Sequence, residues 1–385
     1  MLPNHLTKSS TSLFCCSFLI ACGGEQKRTN KNPFDASQQQ AVETLRSSIK
    51  RAPNAIVISS NDIDWPVCSL PWDRFTLPVV SPDGTHAAVL LGPSVPTSVL
   101  AGSDSTNLGH TIIELHPIDP VHGEKSEPIV VKQKGLLLGR NANDTGFLVE
   151  APRGNAGRWI GRVDWDTGQL RWLISDDSTN AFPTLNRVGD LAWSRKLKGE
   201  DRFHIVLKTA RAQRVIDDGE SDWLMPSFAG RNRLFAYRLQ NGSLSLVSID
   251  LEARNPLLTL TSLLLMETGA TKEHAWQIAT TNPSNPNGTL AFYHPVHHRM
   301  TVWQPGNSME TVYLLQDSVA AAPVSDGSWI VSTSTRVVRQ QLGADDGIYL
   351  RNKLAVPVAT TSLKWTHLML IPDGNRLDVH AMNLE

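Results

Sequence analysis

The chain has 385 residues, with 36 Lys and Arg against 37 Asp and Glu, for a formal net charge of −1 with His neutral. That balance leaves no basic surplus for nucleic acid and no polybasic tract for direct capture of anionic lipid. The length supports a large core, built either as two ordinary domains or as one repeat fold.

The first residues read as a targeting segment. A polar start with Lys8 leads into an apolar run from Leu13 to Ala21, interrupted by Ser17. At about 1.5 Å per residue the run is too short to span a bilayer. It ends in Leu19-Ile20-Ala21-Cys22-Gly23-Gly24. This small-residue-then-Cys ending resembles the lipobox of bacterial lipoproteins. The resemblance implies that residues 1–21 are a signal peptide and that Cys22 is lipidated and begins the mature chain. It also implies an extracytoplasmic protein held at a membrane by its lipid, on the periplasmic face of the outer membrane if the cell is Gram-negative. Cys15 and Cys16 would leave with the signal, so Cys68 is the one ordinary thiol, and no internal disulfide is expected.

Residues 22–34 are polar, contain Gly and Pro and lack an apolar period, as suits a tether. A helix is expected over 35–52. Asp35 can cap it with Gln38 three residues on, Ala41, Val42, Leu45 and Ile49 make a thin apolar stripe, and Arg46, Lys50 and Arg51 crowd its C-terminal end.

Residues 53–385 have a β texture. Ala55–Ser59 is a short apolar strand candidate, whereas 62–77 reads as irregular around Pro66 and Pro71. A phrase then recurs in which a turn leads into an apolar run. It appears as Ser81-Pro82-Asp83-Gly84 before Ala87–Leu91, Gly139-Arg140-Asn141 before Gly146–Val149, and Asn186–Gly189 before Leu191–Trp193. Later copies are Ala229–Asn232 before Leu234–Tyr237, Asn285–Gly288 before Leu290–Tyr293, Ser325–Gly327 before Trp329–Val331, and Pro372-Asp373-Gly374. From Asp83 to Asp373 the spacing averages about 48 residues, within the range of propeller blades.

The unit from Arg233 to Thr261 shows the pattern best, with strands expected at 234–237, 243–250 and 257–260 and a turn at Gln240-Asn241-Gly242. The expectation is an all-β chain forming a β-propeller, with seven blades favoured over six or eight and with the one N-terminal helix. A pair of β-sandwiches is the alternative. The C-terminal unit is short of strands, so residues 55–59 are expected to pair with it and close the ring.

Ser81-Pro82-Asp83-Gly84 followed by a strand resembles the repeat of the Tol-system periplasmic propeller and its WD-like relatives. Asp164-Trp165-Asp166-Thr167-Gly168-Gln169-Leu170-Arg171-Trp172 matches a phrase of quinoprotein-like propeller repeats. Its local physics is a hairpin set by the acid and Thr-Gly, with the Trp covering the blade interface. The quinoprotein resemblance would bring a quinone, but the phrase occurs once here, so a structural use and no cofactor are expected.

Candidate chemistry is sparse. His294, His297 and His298 could ligate a metal, but they also read as a hairpin turn, and no metal is assigned. The pairs Asp176-Asp177, Asp217-Asp218 and Asp345-Asp346 read as solvated turns. Ser325-Asp326-Gly327-Ser328-Trp329 resembles a sialidase Asp-box only faintly, with the wrong spacing. There is no G-x-S-x-G, Walker or Rossmann phrase, so no catalytic residue is assigned. Eleven Trp are expected mostly between blades, and any exposed one is a candidate anchor for a partner. The expected role is a non-enzymatic protein-binding scaffold at the envelope, with a membrane and a protein as partners. The alternative is an enzyme or carbohydrate-binding propeller using its central funnel.

Overall fold

The structure is a computed structural model. It describes residues 64–73, 76–95, 97–102, 108–118, 127–154, 157–186, 188–229, 232–255, 261–266, 290–294, 299–303, 311–342, 344, 347–362 and 365–384. The signal, Cys22, the tether, the 35–52 helix and the 55–59 strand all lie outside these residues.

The described residues are almost all β. The first strand, β1 (Asp64–Pro71), is followed by β2 (Val79–Val80), β3 (His86–Leu91), β4 (Ile112–Pro117) and β5 (Ile129–Val130), which make one antiparallel meander. A single turn of helix, α1 (Thr97–Leu100), interrupts the β3–β4 connection. Next come β6 (Leu137–Asn143), β7 (Gly146–Pro152), β8 (Arg158–Asp164) and β9 (Leu170–Ile174), then β10 (Thr179–Leu185), β11 (Leu191–Lys196), β12 (His204–Lys208) and β13 (Gln213–Ile216). These two meanders are joined into one sheet by a lone parallel contact of Thr179 with Arg158.

The fourth meander is β14 (Asp222–Ala229), β15 (Arg233–Gln240), β16 (Ser243–Asp250) and β17 (Thr261–Met266), and the fifth has β18 (Leu290–His294), β19 (Arg299–Trp303) and β20 (Thr311–Tyr313) described. The sixth is β21 (Ser318–Pro323), β22 (Trp329–Thr333), β23 (Val337–Gln340) and β24 (Ile348–Arg351). The seventh is β25 (Val356–Ala359), β26 (His367–Asp373) and β27 (Arg376–Met382), with β1 as its fourth strand.

The chain is a β-propeller because each meander packs one face on the meander before it and the other on the meander after it. Ala88, Leu90, Ile113 and Leu115 of the first meet Phe147, Val149 and Val163 of the second. Leu148 and Ile160 then meet Leu191, Trp193 and Val206, and Ala192 and Leu207 meet Trp223, Leu234 and Ala236. The seam between the last and the first is closed by Leu368, Leu370, Leu377 and Val379 against Ala87 and Val89. A strand covered on both faces needs a continuous apolar run, not alternation. β3, β7, β15, β22 and β26, second in their meanders, have such runs.

Three expectations change. The closing strand is Asp64–Pro71, not 55–59. It pairs antiparallel with β27 from Asp64↔Met382 to Pro71↔Arg376, and a register shift between Pro66 and Cys68 takes up the proline that made this stretch look irregular. The strand that pairs with Ser243–Asp250 in the best-formed unit is described at 261–266, and residues 257–260, where it is expected, lie outside the described residues. Gly139-Arg140-Asn141 is not a turn but the middle of β6, where the register breaks between Leu138 and Ala142. Asp373-Gly374 is the β26–β27 hairpin, at the opposite end of its meander from the Asp83 turn, so those two turns are not equivalent.

Candidate functional site

In each meander the strands alternate direction, so the connections fall into two sets. One face of the ring carries the turns between first and second strands and between third and fourth. The other, called here the upper face, carries the second-to-third turns and the links from one meander to the next. Both of the chain's recognised phrases belong to the lower set, and both are structural.

In Ser81-Pro82-Asp83-Gly84, the Asp83 carboxylate accepts from the Ser81 and Thr85 hydroxyls and the Thr85 amide at 2.6–3.1 Å. Burial alone would raise this carboxyl, but those donors bring it below its ordinary range. Gly84 has φ +71°, and a Cβ there would lie 2.6 Å from Trp365 Nε1 of the seventh meander, so Gly is required twice over. In the Asp164–Trp172 phrase, Asp164 Oδ1 accepts from Thr167 N at 2.9 Å and Thr167 Oγ1 at 2.7 Å, and Gly168 has φ +64°. The phrase closes the β8–β9 hairpin as its residues predict.

The upper face holds the polar groups that sequence reading placed in solvated turns. Asp176, on the link into β10, accepts from Asn180 Nδ2 at 2.8 Å and Ser178 N at 3.0 Å and pairs with Arg195 at 3.0 Å. Asn180 in turn accepts from Trp193 Nε1 at 2.9 Å. One meander on, Asp218 repeats the device. It accepts from the Ser221 hydroxyl at 2.8 Å and Trp223 Nε1 at 3.3 Å, and pairs with Arg238 at 2.7 Å. Burial pushes both carboxyls up, yet the converging donors outweigh it, and both titrate below the usual range, Asp218 far below. These acids therefore fasten the links between meanders, and a catalytic acid held so low cannot donate a proton near neutral pH.

A third polar unit is buried. Arg158, with no exposed surface, pairs with Glu150 at 2.8 Å and donates to Val99 O at 2.6 Å, while Glu150 Oε1 accepts the Phe182 amide at 3.1 Å. Phe182 has φ +55° and precedes Pro183, and Met225 before Pro226 repeats this at φ +50° in the next innermost strand. Each sits at a register break in its strand, and such backbone is strained by about 1–3 kcal/mol. The recurring Phe182-Pro183-Thr184 and Met225-Pro226-Ser227 are the signal that could have located this feature.

Six of the described Trp side chains are buried: Trp72, Trp165, Trp193, Trp223, Trp329 and Trp365. Trp159 and Trp172 are half-buried and meet edge to face at 5.4 Å, with the exposed Arg153 guanidinium 4.9 and 5.5 Å from their ring centres. Trp159 is fixed by donation to Asp176 O at 2.9 Å.

His294 ends β18, where it pairs with Arg299 at the start of β19. His297, His298, Asp345 and Asp346 lie outside the described residues, as does Trp276. Asp326 accepts from the Ser328 hydroxyl and pairs with Arg339 at 2.6 Å, a turn brace. Among the described residues no three or more His, Cys, Asp and Glu converge on a metal position, and no helix is long and apolar enough to cross a membrane.

No protein-family model matches the chain, and no curated protein matches it. Among solved structures it is similar to a putative TolB from Agrobacterium tumefaciens, at 15% identity and TM-score 0.39 over 54% of this chain and 69% of that one. TolB from Acinetobacter baumannii matches at 12% identity and TM-score 0.36 over 77% and 80%. Prolyl oligopeptidase B from Galerina marginata matches at 12% and TM-score 0.47, over 82% of this chain but only 47% of the peptidase. Likeness at this level transfers no activity, and the fold rests on the sheet order and the packing between meanders.

Proposed function

We propose that the chain is a lipid-anchored, extracytoplasmic β-propeller of seven blades that binds another protein through its upper face and performs no chemistry of its own. Cys22 carries the anchor in this reading, and residues 22–34 hold the ring away from the membrane. The observation that favours binding is the division of labour on the upper face. Asp176 and Asp218 are consumed by ion pairs that fasten the blades. Trp159, Trp172 and Arg153, of the residue types that dominate binding hot spots, keep partly open surface.

The test has two arms. Membrane fractionation of Cys22→Ala asks whether the anchor is real, and a variant that still sediments with membranes ends that half. Affinity purification of the full chain from solubilised membranes, beside Trp172→Ala, asks about the surface. A protein recovered with the parent and lost with the variant supports the reading. Recovery of a bound sugar or metal with no protein overturns it.

A further inference from the structure

The β3–β4 connection does not stay on its own blade. Val99 of α1 is fully buried against Leu108 and Leu137, the latter on the innermost strand of the second blade. Gly102, three residues on, lies flush on two rings of the third blade. A Cβ built there would be 3.1 Å from Phe182 Cζ and 3.3 Å from Phe203 Cζ, and its φ of +97° already calls for Gly. The segment 97–102 thus straps three blades together across the upper face.

Its polar attachment to the second blade is the buried Arg158, which reaches Val99 O from β8. The same guanidinium holds Glu150, and Glu150 holds the amide of Phe182, the residue under the strap with left-handed backbone. Strap, ion pair and strained strand form one connected chain of contacts. A buried ion pair contributes little net stability compared with apolar packing, and its better-attested use is to fix one arrangement against another.

We propose that residues 97–102 are a latched lid over the Phe182 and Phe203 rings, with the Arg158–Glu150 pair as its latch. Closed, the lid is the resident occupant of that apolar ground. Open, it would uncover two aromatic rings on the face assigned above to partner binding, and it would release the Phe182 backbone at the same time. The inference rests on that assignment for its purpose but not for its test, which needs no partner.

The test is native-state hydrogen exchange of the full chain. In the parent protein, amides of 97–102 are expected to exchange at least about tenfold faster than those of β7, β8 and β10, reporting a local opening. Arg158→Met, which removes the latch, and Gly102→Val, which wedges the lid off the rings, should each speed strap exchange by about tenfold or more. Arg158→Met should also speed exchange at Phe182. In Gly102→Val, which leaves the ion pair intact, the strands of the ring keep their protection, and binding of an apolar fluorescent dye rises. The proposal is overturned if strap and ring amides exchange together in the parent, which would make the strap part of the core. It is equally overturned if both variants fold and leave the strap as protected as before.

Discussion

The closure of the ring can be tested at Leu70. This residue lies on β1, opposite Leu377 of β27, with 1% of its surface exposed, among Trp72, Val89, Leu370 and Val379. Leu70→Ala removes a buried side chain where the seam joins the first and last blades, and the site cannot collapse freely because two sheets hold it open. Such truncations cost about 2–5 kcal/mol. Taking about 3 kcal/mol and about 2–4 °C per kcal/mol, Tm should fall by roughly 6–12 °C, read by circular dichroism or calorimetry. Val130→Ala on the outer strand β5, where the side chain is half exposed, is the control and should stay within about 0.5 kcal/mol. A Leu70→Ala variant that melts with the parent would refute the closure, because a strand that contributes no core cannot be holding the ring.

Other expectations concern titration and accessibility. Asp218→Asn breaks the pair with Arg238 and should cost about 1 kcal/mol at neutral pH, a modest figure because the pair is partly solvated. Since the folded carboxyl titrates below its unfolded value, its stabilisation is full above about pH 4 and disappears as pH falls through the depressed value, so parent and variant melting curves should converge in acid. His367 behaves in the opposite chemical sense. Burial lowers its imidazole, which is held neutral with Nε2 donating to Pro323 O at 2.8 Å. The unfolded chain therefore takes up the proton first, and stability present above about pH 6.5 should decline below it, a decline that His367→Gln should lack in melts between pH 8 and pH 5. Burial pushes the Cys68 thiol up to about 12, so a thiol reagent at neutral pH should label it only after unfolding in guanidinium.

The parts of the fold that could be read early are those whose signal is local. A second strand buried on both faces must be apolar throughout, which is why Ala87–Leu91, Leu234–Tyr237 and Trp329–Val331 stood out and fell inside β3, β15 and β22. The turn at Asn241-Gly242 was legible for a similar reason: both residues take positive φ, which few others tolerate. The innermost strands were harder to see. β6, β10 and β14 break register at 138–142, 181–184 and 224–227, so their apolar period is interrupted, and Pro183 and Pro226 fall inside two of these breaks. The acids of the upper face were placed in turns correctly, but their partners are distant: Arg195 and Arg238 arrive from the ends of β11 and β15, 19 and 20 residues along the chain.

By itself the sequence determined the all-β texture, the unit length near 48 residues and the turns, because each depends on residues within a few positions of one another. Tertiary structure decided the rest. Only the ring brings Asp64–Pro71 against the final strand more than 300 residues away, since the last meander has an open edge that a free N-terminal strand can fill. Only the ring places Val99, Glu150, Arg158 and Phe182 in one buried contact, because three separate blades must first stand side by side before a guanidinium can reach across them.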